Sequence, residues 1–331
     1  MTEQKILITG DFSIPAGIPT GNVVHLREPK NNTDIAALLP GITHYIVGGP
    51  EYVDAELMDA APDLRHIVVM GTGTNSFANL KDAQEKNIVV DNTPGINADA
   101  VAEFALGAVI SNLANAYHSR DDLLFGGWTQ KPHKTLSESS IGIIGAGDIG
   151  SKVARKIRAI SNASISYFSR SRKAALENEI NAQFKPLPDL VSTADAVILC
   201  VTYTPETHHL LNDKTLGMAK EGQILLCFSN PKVVDPVALR QGLIDQRPRR
   251  AFFDSYYNEW MYNQGLAGDQ YGLLSLGSDK FVATSHIAAQ AETVIAAIVT
   301  EAFRIIDMRR DSLMPGRGRA TNMQIPKLDL G

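Results

Sequence analysis

The sequence predicts two doubly wound α/β units, each built on a parallel sheet. Three observations support this fold class. In residues 1–100, short apolar runs alternate with helical patterns, as in parallel strands joined by helices. From residue 141 a second series of strands begins with a glycine-rich turn. The length of 331 residues fits about two domains of roughly 150 residues each.

Five strands and three helices are predicted in the first unit. The strands are residues 6–8, 23–26, 45–47, 67–70 and 88–90, and the helices are residues 34–39, 54–61 and 79–86. Ligands bind at the carboxyl ends of the strands in open α/β sheets. The glycine-rich turn at residues 71–75 is therefore either a nest of backbone N–H groups for an anion or a plain turn.

A single long helix is predicted over residues 98–123, between the two units. Its first turns carry an apolar face formed by Val101, Phe104, Ala105 and Ala108. Because it is longer than an average helix, we expect it to act as a connector, a subunit contact, or both.

Six strands are predicted in the second unit, the number found in a dinucleotide-binding sheet. They are residues 141–145, 165–168, 196–201, 224–228, 251–254 and 281–284. The chain becomes helical again at residues 292–308. The remaining tail is too short for a domain, so we expect it to return to the first unit.

A glycine fingerprint follows the first strand of the second unit. Gly145 permits a tight turn, Gly147 lacks the Cβ that would keep a pyrophosphate away, and Gly150 allows close helix packing. The helix N-terminus, with Asp148 and Ile149 in its first turn, offers N–H groups to phosphates. The alternative is a glycine turn without a ligand, but the amphipathic helix that follows favours a dinucleotide site.

The end of the second strand favours NADP(H) over NAD(H). An NAD site places Asp or Glu here, about 20 residues after the glycine turn, to bind the ribose 2′-hydroxyl. The residues in this chain are Ser169, Arg170, Ser171 and Arg172. Two guanidinium groups and two hydroxyls fit a 2′-phosphate. The alternative is a solvated basic loop that does not distinguish the two cofactors.

Composition argues against several other classes of protein. The net charge is −5 and no basic cluster is extensive, so no nucleic-acid partner is expected. No apolar run approaches the ~20 residues of a membrane span and no signal peptide is recognised, so a cytoplasmic location is expected. Cys200 and Cys227 lie in apolar runs and are interpreted as reduced core thiols.

Polar residues at three strand ends predict acid/base chemistry. Ser229 and Asn230 follow the fourth strand, Asp254 ends the fifth with Glu259 five residues later, and His286 follows the sixth. A carboxylate beside a histidine fixes the ring tautomer and raises its pKa, so an imidazolium can protonate a carbonyl oxygen as a hydride arrives. A histidine at a strand end is more often structural, but the glutamate and the cofactor site favour catalysis. No metal site is predicted.

Nearly the whole chain resembles the D-isomer-specific 2-hydroxyacid dehydrogenase family. The matching segments are residues 70–75, 92–95, 101–103, 204–207, 233–235 and 284–287, together with the glycine fingerprint and the pair Asp254 and Glu259. Residues 167–171 are similar to the NADPH-using glyoxylate/hydroxypyruvate reductase branch. The resemblance implies a Rossmann domain, residues 104–286, inserted in a flavodoxin-like substrate domain formed by residues 1–103 and 287–331. It also implies a homodimer formed through the nucleotide-binding domain.

The resemblance also implies roles for individual residues. His286 is implied as the acid/base, Glu259 as its support and Asp254 as a contact of the nicotinamide amide. Thr72 and Gly73 are implied to hold the substrate carboxylate. The other expected cofactor contacts are Val201, Thr202, Thr207, Phe228 and Ser229. At Thr202 the family usually has a proline.

One position departs from the family pattern more seriously. Where the family has an arginine that grips the substrate carboxylate and carbonyl, this chain has Asn230, followed by Pro231 and Lys232. Asparagine donates a hydrogen bond but offers no charged fork, a loss on the order of 2–4 kcal/mol of transition-state stabilisation. Either Lys232 or another cation replaces the guanidinium, or the substrate is not an ordinary 2-oxo acid, or the protein does not turn over.

We therefore predict an NAD(P)H-dependent oxidoreductase, with NADP(H) preferred, that acts on a 2-oxo or 2-hydroxy acid or a related small carbonyl substrate. Two alternatives stay open: oxidation of a non-standard donor such as phosphite, and dinucleotide sensing without turnover. The pair Glu259 and His286 favours turnover. The aromatic residues that either line or cover the pocket are Tyr256, Tyr257, Trp260 and Tyr262.

Overall fold

A computed structural model of the chain describes residues 4–28, 31–259 and 268–310. The described residues up to Asn97, together with those from Gln290, form one compact unit, and the described residues between 98 and 289 form a second. The sequence interpretation placed these divisions at 103/104 and 286/287. The first division lies earlier in the structure because a continuous helix begins at Ala98 and belongs as a whole to the second unit.

The first unit contains a five-stranded parallel sheet. Its strands are β1 (Ile6–Thr9), β2 (Val23–Leu26), β3 (His44–Val47), β4 (His66–Val69) and β5 (Val89–Asn92). Their order across the sheet is β2-β1-β3-β4-β5. This is the flavodoxin-like order of doubly wound folds, and all five predicted strands are present.

Four short helices connect these strands: α1 (Asn32–Ala36), α2 (Ala55–Asp59), α3 (Thr74–Phe77) and α4 (Leu80–Glu85). The side chains of Asn31, Asp54 and Asn79 cap α1, α2 and α4, each accepting a hydrogen bond from a first-turn N–H group. The cap at Asn31 explains why α1 begins before the predicted residue 34. The sequence pattern did not predict α3, which directly follows the glycine-rich turn at residues 71–73.

The second unit contains a seven-stranded parallel sheet. Its strands are β6 (Ser140–Ile144), β7 (Ser164–Phe168), β8 (Gln183–Phe184), β9 (Ala196–Leu199), β10 (Ile224–Cys227), β11 (Arg250–Asp254) and β12 (Phe281–Thr284). The order β12-β11-β10-β9-β6-β7-β8 is the Rossmann order with one strand added beyond β11. Six strands were expected. The seventh, β8, has two residues, too few to show a periodic pattern.

The helices of the second unit are α5 (Ala98–Leu113), α6 (Ala116–Leu124), α7 (Asp148–Ile160), α8 (Ala174–Ile180), α9 (Leu187–Thr193), α10 (Asp213–Leu216) and α11 (Pro236–Ile244). The prediction of one continuous helix over residues 98–123 is therefore wrong. Asn115 adopts a left-handed conformation (φ 58°), which asparagine tolerates. Near the end of α5, the carbonyl oxygen of Asn112 accepts a hydrogen bond from Nη1 of Arg250 (2.8 Å).

The last described helix, α12 (Glu292–Arg309), packs on the first sheet through Val299, Ala302 and Ile305. At its end, Arg309 donates two hydrogen bonds of 2.8 Å to Asp91, which also pairs with Nε2 of His66 at 2.9 Å. Burial raises the pKa of Asp91, but the hydrogen bonds from His66 and Arg309 outweigh it and hold the pKa at about 2. Within the described ranges, no helix is long and apolar enough to cross a membrane.

Candidate active site

The candidate site lies at the carboxyl edge of the second sheet. Strands β10, β11 and β12 are parallel neighbours, so their carboxyl ends meet at one edge. Asn230 follows β10, Asp254 ends β11, and His286 follows β12. The structure thus brings together the three strand ends that the sequence singled out. Within the described ranges, no cluster of His, Cys, Asp or Glu side chains is placed to hold a metal ion.

His286 and Glu259 form a paired acid and base. Nδ1 of His286 lies 3.0 Å from Oε2 of Glu259. Desolvation lowers the pKa of His286, but the charge and hydrogen bond of Glu259, with the charge of Asp254, raise it to about 9. The imidazole is 47% exposed, so water screens part of this attraction. At neutral pH the pair favours an imidazolium whose orientation is fixed by a carboxylate.

Asp254 holds the chain on both sides of His286. Its Oδ1 accepts hydrogen bonds from Oγ1 of Thr284 (2.7 Å) and from the N–H of Ile287 (2.9 Å), and its Oδ2 accepts one from the N–H of Ala288 (2.9 Å). His286 lies between these partners with φ 56°, a left-handed conformation that a histidine keeps only where its surroundings enforce it. The hydrogen bonds described for this carboxylate all serve the His286 segment, a role that the sequence did not indicate.

The glycine fingerprint has the geometry of a phosphate-binding turn. A Cβ on Gly145, whose φ is 97°, would lie 2.6 Å from the carbonyl oxygen of Cys200, and one on Gly150 would lie 1.9 Å from that of Gly145. A Cβ on Gly147 would meet nothing within 4 Å, so there is open space beside the backbone at that residue. Helix α7 begins at Asp148 and Ile149 without a side-chain cap. These features fit the pyrophosphate of a dinucleotide.

The two arginines after β7 differ in their partners. Arg172 pairs with Glu177 through hydrogen bonds of 2.6 Å and 3.1 Å, and Glu177 also accepts the Tyr167 hydroxyl (2.5 Å). No hydrogen bond or ion pair is described for Arg170, although its charge helps to lower the pKa of Glu206. Of the two guanidinium groups that were expected to bind the 2′-phosphate, that of Arg172 is therefore already paired with Glu177.

The remaining expected cofactor contacts are distributed over neighbouring loops. The Ser169 hydroxyl donates to the carbonyl oxygen of Ser171 (2.5 Å) in the loop after β7. After β9, the N–H of Val201 donates to Oγ of Ser229 (2.9 Å), which links the ends of β9 and β10. The Thr207 hydroxyl donates to the carbonyl oxygen of Thr202 (2.8 Å), which closes the loop after β9. These bonds fix the loops that border the glycine turn.

Asn230 starts the turn after β10 and caps it. Its Oδ1 accepts the N–H of Lys232 (3.0 Å), and within the described residues its Nδ2 forms no hydrogen bond. It therefore offers one neutral donor. The charge of Lys232 acts on His208, whose pKa is lowered by burial, by the charge of His209 and by that of Lys232.

The aromatic residues near the site belong mainly to the core. Tyr256 and Tyr257 are buried, and their hydroxyls donate to Asp269 and to the carbonyl oxygen of Val234. Phe228 packs edge to face against Phe104, with ring centres 6.3 Å apart. Tyr256 and Tyr257 are thus core residues of the second unit, whereas Trp260 and Tyr262 lie outside the described residues.

Thr72 and Gly73 belong to the first unit, at the carboxyl end of β4. Gly71 precedes them with φ 115°, and α3 begins directly after Gly73. Among the described residues, the backbone N–H groups of Thr72 and Gly73 have no hydrogen-bond acceptor. Two adjacent unpaired N–H groups at a strand end are suited to bind an anion.

The Glu259–His286 pair leads to a prediction about the pKa of His286. In a Glu259→Gln variant the charge that raises the pKa of His286 is lost, so this pKa should fall from about 9 towards its ordinary 6.5 or below. An NMR titration of the imidazole measures the shift. Glu177→Gln, which removes a carboxylate that pairs with Arg172 and not with His286, serves as the matched control. An unchanged His286 pKa in Glu259→Gln would refute the pairing.

Comparison with known proteins agrees with this geometry. The family described as D-isomer specific 2-hydroxyacid dehydrogenase, NAD binding domain, matches residues 96–288. A glyoxylate reductase of Pyrococcus horikoshii is 32% identical over 248 residues, which cover 72% of this chain and 71% of the relative.

Solved structures share the fold. The D-lactate dehydrogenase of Aquifex aeolicus, solved with NAD and lactic acid, has a TM-score of 0.77 at 22% identity and covers 93% of this chain and 96% of its own. An acyclic imino acid reductase, solved with NADPH and D-Arg, has a TM-score of 0.71 at 18% identity, covering 92% and 97%. The chain belongs to the D-isomer-specific 2-hydroxyacid dehydrogenases, a family of nicotinamide-dependent oxidoreductases.

Proposed function

We propose that the protein reduces a 2-oxo acid, or a closely related small carbonyl compound, with NADPH. The observation that carries this proposal is the ion pair between His286 and Glu259 at the carboxyl edge of a dinucleotide-binding sheet. A protein that only senses a dinucleotide has no need of a histidine whose pKa is raised by a dedicated carboxylate. The relative from Pyrococcus horikoshii is a glyoxylate reductase, which supports this substrate class.

In the proposed mechanism, His286, Glu259 and Asp254 have separate roles. When bound, the nicotinamide supplies a hydride to the carbonyl carbon. His286 donates a proton to the carbonyl oxygen, and Glu259 stabilises the imidazolium beforehand and holds the ring in place. Asp254 keeps the His286 segment in its left-handed turn. In the reverse direction, His286 accepts the proton from the hydroxyl group.

Contacts to the substrate carboxylate and carbonyl are proposed for three residues. Thr72 and Gly73 offer unpaired backbone N–H groups to the carboxylate. Asn230 offers its Nδ2 as a neutral donor, since its Oδ1 is occupied by the N–H of Lys232. Lys232 lies in the same turn, two residues after Asn230.

Turnover of simple 2-oxo acids tests the proposal. Purified protein should oxidise NADPH with at least one of glyoxylate, hydroxypyruvate and phenylpyruvate. His286→Ala should lower kcat by about 10²- to 10⁴-fold because the proton donor is lost, with the dissociation constant for NADPH unchanged. Wild-type protein that binds NADPH and turns over none of these acids would contradict the proposed substrate class.

An Asn230→Arg variant separates the remaining explanations. Activity that appears only in this variant would indicate intact hydride-transfer machinery suited to a substrate without an ordinary carboxylate, such as a phosphite-like donor. If neither protein turns over any substrate, dinucleotide sensing gains support.

We also propose that NADP(H) is preferred over NAD(H), with Arg170 as the main contact of the 2′-phosphate. Glu177 engages Arg172, whereas no ion pair is described for Arg170. The loop carries no carboxylate at Ser169, where an NAD site would place one. The related acyclic imino acid reductase was solved with NADPH, so the fold accommodates this cofactor.

The two arginines provide a matched pair for testing this preference. Arg170→Ala should raise the KM for NADPH roughly 10- to 100-fold, the usual contribution of a charge-assisted hydrogen bond, while leaving the KM for NADH within about twofold. Arg172→Ala should have the smaller effect on NADPH. An equal change in the KM for NADPH and for NADH in Arg170→Ala would show that the loop does not bind the 2′-phosphate.

A homodimer formed through the nucleotide-binding domain is proposed from exposed apolar side chains. Phe125 and Trp128, which follow α6, are 90% and 79% exposed, and Leu123 and Leu124 beside them are also exposed. A cluster of large apolar side chains on a surface marks an interaction site, and a twofold dimer is the commonest assembly.

Light scattering after gel filtration tests the dimer. The wild type should have about twice the mass of the chain, and a Phe125→Ser/Trp128→Ser variant should be a monomer, because burial of these rings holds the interface together. Val237→Ser, at a 70% exposed position on α11, is the matched control and should leave the mass unchanged. A wild-type monomer would contradict the proposal.

We also propose that the protein resides in a reducing compartment such as the cytoplasm. Cys200 and Cys227 are both free thiols, although they lie at the ends of adjacent strands. Burial raises the pKa of both, that of Cys227 to about 12, so neither is a reactive thiolate at neutral pH. Two free thiols, one buried and one partly buried, are typical of proteins that remain in a reducing environment.

A further inference from the structure

A buried threonine holds the turn that carries Thr72 and Gly73. Oγ1 of Thr93 accepts a hydrogen bond from the N–H of Gly71 (2.7 Å), and the N–H of Thr93 donates to the carbonyl oxygen of Gly71 (3.1 Å). Thr93 is fully buried. It therefore engages both polar backbone groups of Gly71, immediately before the two unpaired N–H groups.

A second side chain from the same segment holds the next residue. Nδ2 of Asn92, the last residue of β5, donates to the carbonyl oxygen of Thr72 (2.8 Å). Strands β4 and β5 are parallel neighbours, so Asn92 and Thr93 lie alongside the turn rather than within it. Gly71 has φ 115°, a conformation that residues with a Cβ rarely adopt.

Together these contacts leave a defined set of unpaired groups. The N–H and carbonyl of Gly71 and the carbonyl of Thr72 are all hydrogen-bonded. In the described part of the chain, the N–H groups of Thr72 and Gly73 are not. The Asn92 side chain and the Thr93 backbone thus satisfy the carbonyl oxygens of Thr72 and Gly71, which would repel an anion. The Thr93 hydroxyl fixes the N–H of Gly71, and the N–H groups of Thr72 and Gly73 remain available to bind an anion.

We propose that Thr93 and Asn92 are positioning residues that set the Thr72–Gly73 turn for a substrate carboxylate. This inference rests on the proposed function, because it takes a carboxylate as the ligand of the turn. Neither side chain needs to touch the substrate. Their effect is on binding, through the direction of the two N–H groups, and not on the proton transfer that His286 performs.

Thr93→Val tests this role, because valine keeps the shape of threonine and removes the hydroxyl. We expect the KM for the 2-oxo acid to rise roughly 10- to 100-fold, as for misaligned hydrogen bonds to a charged group, with kcat changed by less than about threefold. The dissociation constant for NADPH should stay the same, since the dinucleotide site belongs to the other unit. Thr93→Ser, which restores the hydroxyl, should recover most of the wild-type KM.

Two further variants separate positioning from a general loss of stability. Thr43→Val removes another buried threonine hydroxyl, which bonds to the backbone of Lys5 at the amino end of β3, and should lower the melting temperature without changing the KM. Asn92→Ala removes the contact to Thr72 from a less buried position, and should raise the KM even if Thr93→Val folds poorly. An unchanged KM in both Asn92→Ala and Thr93→Val would overturn the inference.

Oxalate, an unreactive dicarboxylate, provides a measurement that does not depend on turnover. Calorimetric titration of the NADPH-loaded protein should show oxalate binding that weakens by the same factor in Thr93→Val and returns in Thr93→Ser. If the wild type binds oxalate in this way but reduces no 2-oxo acid, the inference stands and the proposed substrate class fails. If it reduces 2-oxo acids and the variants bind oxalate normally, the inference alone fails. If the wild type does not bind oxalate at all, the turn is not a carboxylate site.

Discussion

His286 has a left-handed backbone, and the buried carboxylate of Asp254 holds it there through the N–H groups of Ile287 and Ala288 and the hydroxyl of Thr284. The chemistry proposed for the second unit depends on this constraint. A strained turn costs of order 1–3 kcal/mol and persists only where its surroundings enforce it. This turn directs His286, which follows β12, towards Glu259 in the loop after β11.

The parts of the fold and site that the sequence predicted are those governed by local rules. Close contacts demand glycine at Gly145 and Gly150, and Gly147 between them leaves open space beside the backbone, so a pattern of residues is enough to recognise the turn. Strand ends were predictable for a similar reason, because parallel strands expose the residues after them at one edge. The strand ends therefore suggested His286 and Glu259 as an acid/base pair, and the family resemblance implied the same roles.

What the sequence did not predict depends on partners distant in the chain or on backbone conformation. Helix α5 ends before Asn115, and the carbonyl of Asn112 near that end bonds to Arg250, 138 residues away. The sequence does not distinguish Arg170 from Arg172 as a ligand of the 2′-phosphate, because the pairing of Arg172 with Glu177 is visible only in the structure. The role of Asp254 depends on backbone N–H groups more than thirty residues further along, and such groups have no residue-type signature.

Asn230 has a structural role of its own in the turn after β10. Oδ1 of Asn230 caps the turn, Pro231 occupies the position after the cap that proline favours, and the Tyr257 hydroxyl anchors the turn through the carbonyl of Val234. An arginine at this position has no side-chain acceptor for the N–H of Lys232, so a guanidinium would be gained only with loss of the cap. The turn is therefore constructed around the amide oxygen of Asn230, and the neutral Nδ2 donor is positioned at this strand end by that cap.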